Sequence, residues 1–301
     1  MVTIKFTKHK LSDSIKYNLN DNKASNIEEI THSKQKIVLF DEIGTPTFSE
    51  DRETDSFLGV SCTYKFSDEL NIFEKCNNLF GLSNSNPKKN NKIKSNIAIN
   101  IADLIGLLPV QIVVRKLKLN DTKFKQSSET YEKFSNDSRL LFRNIYKPRP
   151  IAQILHSNIL NDCLFDVIVN HLEKCSELEF HYDIFIDNWS IPILDNHIYL
   201  QFINKSLEEK IKSLLKEKTI ISISPIKLFV EDSQRKRFID TVASIISRAF
   251  LKTQNRRYSE EPFNRLKNLL GNKLDFKDIT DQEIKFMNDF KIRRILELKV
   301  E

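Results

Sequence analysis

Glycine is scarce in this chain. Its 301 residues include five, Gly44, Gly59, Gly81, Gly106 and Gly271, and no two lie within five positions of each other. Dinucleotide and P-loop sites cluster glycines so that the backbone can approach phosphate closely. Neither GxGxxG nor GxxxxGK[ST] occurs, which argues against both. GxSxG and HExxH are also missing, so any enzymatic chemistry would fall to carboxylates. Four cysteines (Cys62, Cys76, Cys163, Cys175) are scattered without a CxxC, and six histidines form no HxH or HxxxH. That usage fits reduced, buried thiols and speaks against a zinc ribbon or a disulfide scaffold. Apolar runs stop at a few residues, as in Ile37–Phe40, too short to span a bilayer. The opening Met1–Phe6 has no signal-peptide pattern. These absences lead us to expect a soluble, cytoplasmic protein with no membrane partner.

What is present is globular in balance. Hydrophobic residues make up 40% and charged residues 29%, and 47 Lys+Arg against 41 Asp+Glu leave a net charge of +6. The length suits one large domain or two modest ones and suffices for a core without staples. Residues 1–35 read as an arm or an added strand. Lys36–Asp41, Ser56–Phe66, Val110–Leu119, Phe180–Asp187 and Ile220–Val230 read as five strands. Helical spacing appears over Asp68–Leu82, Asn96–Leu108, Ile154–Leu172, His197–Leu215 and Phe238–Lys252. Ser83–Lys94 is a polar loop. Residues 253–301 alternate short helical patterns with charge and contain no evident strand. Three early strands with short links suit an antiparallel half, and two later ones separated by helices suit parallel additions. The expected fold is therefore α/β: a ribonuclease-H-like, five-stranded mixed sheet flanked by helices over residues 36–252, followed by a small helical C-terminal extension.

Acids fall at the strand ends. The first strand ends in Asp41-Glu42, the fourth in Asp187 and the fifth in Glu231-Asp232, while Asp240 lies inside the last helix of the domain. If the first and fourth strands are neighbours, Asp41 and Asp187 meet. Carboxylates gathered in this way repel unless a cation lies between them, and hard oxygen donors suit Mg²⁺ or Mn²⁺. Such ions can activate water and stabilise the leaving oxygen of a phosphodiester. Asp183 shares a strand face with Asp187, but about 13 Å separates residues four apart on a strand. It reads as a satisfied interior or edge acid.

IVLFDEIGTP followed by FLGVSCTY resembles the opening of the DUF3800 family: an apolar strand, Asp-Glu-Ser-Gly, then a second apolar strand. FIDNWS resembles that family's middle aspartate-bearing strand. FVEDSQRKRFIDTVASII resembles its closing Asp-Ser, basic stretch and helix. The resemblance spans roughly residues 36–252 and implies a ribonuclease-H-like, metal-dependent nuclease, often found near bacterial phage-defence genes. It places Asp41, Asp187 and Asp232 on the motif aspartates. Two positions depart from the pattern. Ile43 replaces the serine after Asp-Glu, and the aspartate of the closing helix falls at Ala243 or Ser244, with Asp240 one turn earlier. Either Asp240 substitutes, or the site is degenerate.

Arg235-Lys236-Arg237, read as a loop between Asp232 and Asp240, would hold phosphate, and Lys88 and Lys89 in the polar loop are a second basic cluster. The expected activity is a divalent-metal-dependent nuclease acting on DNA or RNA. Asp41, Glu42, Asp187, Asp232 and Asp240 are the candidate ligands, and Asp41, Asp187, Asp232 and Asp240 the candidate catalytic residues. The alternative is a catalytically degenerate module that binds nucleic acid or a protein partner. A third reading is that Phe263–Leu298 docks a partner that switches the enzyme on, and the resemblance also implies a protein partner in a defence complex.

Overall fold

The computed structural model describes residues 3–6, 35–44, 56–82, 95–118, 159–170, 179–187, 203, 207, 220–223, 226–230, 233–250 and 260–279. Its strands are Thr3–Phe6 (β1), Gln35–Ile43 (β2), Ser56–Lys65 (β3), Gln111–Lys118 (β4), Glu179–Ile186 (β5), Ile220–Ile223 (β6), Lys227–Leu228 (β7) and Leu274–Asp278 (β8). Its helices are Glu69–Leu82 (α1), Ser95–Gly106 (α2), residues 159–170 (α3), Gln234–Phe250 (α4) and Glu261–Leu270 (α5).

Among the described residues, eight strands form one sheet in the order β1-β6-β5-β2-β3-β4-β8, with β7 also on β5. The pairs β2–β3 and β3–β4 are antiparallel, whereas β5 runs parallel to β2, β6 and β7. This is a mixed α/β sheet with the antiparallel early strands and parallel later strands expected from the sequence. The five expected strands are all in it. The fifth is divided into β6 and β7, and the sequence between them contains Pro225, which has no N–H to give to a ladder.

Strand β2 is apolar on both faces, the mark of a central strand covered on both sides. Ile37, Leu39 and Ile43 enter one core with Leu58, Val60, α1, α2, α4 and α5. Val38 and Phe40 enter the other with Phe57, Tyr182, Ile184, α3 and the helical residues Ile203 and Leu207. On the α3 side, Gly59 lets the helix approach: a Cβ there would stand 2.2 Å from Ile159 Cγ2 and 3.0 Å from Cys163 Sγ. Cys62, Cys76 and Cys163 are free and buried. Burial pushes the Cys76 thiol up to about 11 and raises the other two further.

The tail corrects the sequence reading. Residues 253–301 are not solely helical, because β8 extends the sheet in parallel with β4. The segment LDFKD is short and three of its five residues are charged, so it carries little strand signal of its own. Its place is fixed from a distance. Arg115 on β4, 3% exposed, pairs with Asp166 of α3 at 2.5 Å and with Asp275 of β8 at 2.6 Å. Asn170 donates to the same Asp275 oxygen at 2.9 Å. The helix α5 ahead of β8 packs onto the α4 side of the sheet. Phe263, Leu266 and Leu270 are buried, and Arg265 pairs with Asp103 of α2. Among the described residues, no helix is long and apolar enough to cross a membrane.

Candidate metal centre

Asp41 and Asp187 reach the same place through register. On β2 the side chains of Ile37, Leu39 and Ile43 face the α4 core, and alternation puts Asp41 with them. On β5 the same face holds Asp183 and Phe185, opposite Ile37 and Leu39, and then Asp187 just beyond the strand. The third acid comes from above the sheet. Ser233 caps α4: its Oγ accepts the Lys236 N–H at 3.3 Å, and its carbonyl accepts the Arg237 N–H at 3.0 Å. Phe238, Ile239, Val242, Ala243, Ile245 and Ile246 press the helix onto the sheet. Each large apolar side chain among them contributes about 1.5–3 kcal/mol by burial. Asp240 is thereby set over the strand ends. One carboxylate oxygen from each of Asp41, Asp187 and Asp240 lies within 4.8 Å of the other two.

Asp240 is thus the α4 acid that lies with the two strand-end acids. Ala243, which with Ser244 is where the resemblance puts the family's helix acid, is buried in the core. The helix also begins earlier than its apolar pattern suggested, so Arg235, Lys236 and Arg237 occupy its first turn rather than a loop. Glu42 is not part of the described carboxylate group. It lies one residue beyond Asp41, on the opposite side of the strand alternation, and contributes its backbone N–H, which donates to Asp41 Oδ1 at 3.0 Å. Asp232, Lys88 and Lys89 lie outside the described residues.

The three basic residues separate by environment. Arg235 forms a bidentate pair with Glu69, at 2.7 and 2.9 Å, and its guanidinium lies 4.4 Å from the Phe185 ring centroid. Tyr64 donates to the same Glu69 at 2.8 Å. Burial alone would lower the Arg235 pKa, but its hydrogen bond and charge contact with Glu69 outweigh burial and raise it. Arg235 therefore braces α4 against α1 and the sheet. Lys236 turns to the acids, with its Nζ 2.9 Å from Asp187 Oδ1. Arg237 is exposed. Asp183 is satisfied, as its position suggested: Gln35 Nε2 donates to one oxygen, Lys227 Nζ lies 2.8 Å from the other, and His181 Nε2 is 3.8 Å away.

Sequence reasoning missed the Lys236–Asp187 pair and the Glu69 brace. The first had a signal: Lys236 and Asp240 are four residues apart, so both share one helix face once the helix is known to start after Ser233. The second had none, because Glu69 and Arg235 are brought together only by the tertiary fold.

No protein-family model matches the chain, and no curated protein does. Among solved structures, similarity is found to Bst-RNase HIII in complex with Mn²⁺, at TM-score 0.36 and 12% sequence identity, over 74% of this chain and 54% of that one. The match therefore takes in about half the length of that protein.

Proposed function

We propose that this chain is a divalent-metal-dependent nuclease that hydrolyses phosphodiester bonds of DNA or RNA. The supporting observation is the convergence of Asp41, Asp187 and Asp240, from two adjacent strand ends and a facing helix, to within 4.8 Å. The donor set fits a hard cation. It is all oxygen, with no histidine or cysteine in the group, which favours Mg²⁺ or Mn²⁺ over zinc or copper. A divalent ion held there supplies Lewis-acid stabilisation of a phosphate in the transition state and acidifies bound water. The protein's part is placement. The strand ladder fixes Asp41 and Asp187, the buried face of α4 fixes Asp240, and the Glu42 amide orients the Asp41 carboxylate. Lys236 provides positive charge beside the acids for a scissile phosphate. In the overall reaction, water adds across a P–O bond: its hydroxyl goes to phosphorus and its proton to the departing oxygen. Membership of DUF3800, a cytoplasmic setting and a phage-defence role rest on the motif resemblance and the sequence composition.

The test is cleavage of single-stranded and duplex DNA and RNA with Mg²⁺ or Mn²⁺, beside Asp41→Asn and Asp240→Asn. Cleavage lost in both variants supports the reading. Cleavage that survives in both overturns it.

One observation favours a second reading, that of a non-catalytic module binding nucleic acid or a protein. Lys236 already offsets Asp187 within the group. Inactivity on all four substrates, with no thermal stabilisation by Mn²⁺, would support that reading instead.

A further inference from the structure

We infer that Lys236 is the site's own exchangeable cation, an ammonium that holds Asp187 and competes with a divalent ion for it. The inference builds on the nuclease reading, and it goes further by assigning to one residue the control of metal affinity. Lys236 differs from a loose surface lysine in three ways. Its side chain is 20% exposed, and its Nζ is 2.9 Å from Asp187 Oδ1, which is itself only 12% exposed. Its backbone is held in the capped first turn of α4 by the Ser233 hydroxyl. Its neighbour Arg235 is clamped to Glu69, so that turn cannot rotate freely. The ammonium therefore stays on the acid-bearing face, one turn before Asp240.

A cation in direct contact with a ligand carboxylate opposes any second cation there by charge and by occupancy. Removing it takes away a charge that offsets the mutual repulsion of the three acids, and an incoming ion relieves what it leaves. The same charge, once displaced from Asp187, is within reach of a substrate phosphate, so losing it weakens turnover while strengthening metal binding. A merely structural lysine would not give this opposed pair of effects.

The experiment is a calorimetric Mn²⁺ titration, with the metal alone as probe, of the wild type, Lys236→Met and Lys236→Arg, plus cleavage at saturating Mn²⁺. Methionine keeps the packed stem and removes the charge, and Lys236→Gln serves if that variant fails to fold. The expected result is Mn²⁺ binding at least about tenfold tighter in Lys236→Met, near wild-type affinity in Lys236→Arg, and slower cleavage in Lys236→Met. In an Asp187→Asn background the gain should vanish. Unchanged or weaker Mn²⁺ binding in Lys236→Met overturns the inference. If the wild type meanwhile binds Mn²⁺ and cleaves, the nuclease reading survives that failure. Mn²⁺ binding by Lys236→Met but not by the wild type upholds the competition and sinks the nuclease reading for the natural chain. If no folded variant binds Mn²⁺, both fall.

Discussion

Asp41 and Asp187 continue, by one residue, the parallel register in which Phe40 pairs with Ile186. Their proximity is a property of the ladder rather than of flexible side chains. Adjacent strands lie about 4.8 Å apart, so two carboxylates on the same face at the same level cannot avoid each other's charge. Asp240 arrives on a helix seated by several buried apolar residues, and its position is equally fixed. Such a group costs stability in the absence of a cation and regains it when one binds.

Replacing Asp41 by asparagine therefore has opposite effects with and without metal. The amide oxygen can still accept the Glu42 N–H, so Asp41→Asn should fold, with a metal-free melting temperature equal to or above that of the wild type. The rise in melting temperature with millimolar Mn²⁺ should disappear. Cleavage should fall at least about a hundredfold, since the interactions a metal makes with the transition state amount to several kcal/mol. Scanning calorimetry with and without Mn²⁺ checks the first two statements. Retained stabilisation by Mn²⁺ would show that the ion binds elsewhere.

How much of this was legible beforehand depends on how local the cause is. The β2 run KIVLFD announces a central strand by itself, and the pairing of its terminal Asp41 with Asp187 followed from strand order alone. The start of α4 was placed four residues late because its apolar pattern begins at Phe238, whereas the helix begins at the Ser233 cap. With the start misplaced, the Lys236 and Asp240 face could not be seen. The β8 strand was invisible because its stability comes from Arg115, 160 residues away in sequence, and from the β4 edge.

Gly59 is a packing position, and Gly59→Ala tests it. The added methyl would collide with Ile159 Cγ2 and crowd Phe40 Cε2. Overpacking of this kind costs about 1–3 kcal/mol. The loss should be partly recovered in Gly59→Ala/Ile159→Ala relative to the sum of the single changes, measured by urea denaturation as a double-mutant cycle. Strict additivity would mean that α3 does not press on β3 at this point.

Acid should release β8. Burial by itself would raise the Asp275 carboxyl, but the Arg115 hydrogen bond and charge outweigh it and hold the group below its usual range. A depressed folded pKa contributes stability above the unfolded value, about 3.9, and that contribution is lost as pH falls through the folded value. Asp275→Asn should thus be less stable than the wild type at pH 7, with the gap closing as the pH drops below about 4. Arg115→Met is harsher, about 2–3 kcal/mol, because it takes the shared counter-charge from two acids; their partial exposure and the Asn170 donor to Asp275 keep the loss at or below the low end of that for a buried pair. Denaturant titrations across this pH range, with exchange of the β8 amides as a local probe, measure both effects. A gap that stays constant with pH would remove the Arg115–Asp275 pair as its cause.

Arg235 and Arg237 are two residues apart on α4, yet they should respond oppositely in nucleic-acid binding. Arg235 is committed to Glu69 in bidentate geometry and lies over Phe185, whereas Arg237 is exposed. Counterion release makes the logarithm of affinity fall with the logarithm of salt concentration, and each lost phosphate contact reduces that slope by about 1. In an Asp41→Asn background, which removes cleavage, Arg237→Ala should lower the slope by about that amount. Arg235→Ala should leave the slope intact and lower stability by about 1–3 kcal/mol, the worth of hydrogen bonds to a charged group. Fluorescence anisotropy at several salt concentrations measures the slopes. A reduced slope in Arg235→Ala would mean that nucleic acid draws Arg235 away from Glu69, and the first turn of α4 would then be a moving part of the interface rather than its brace.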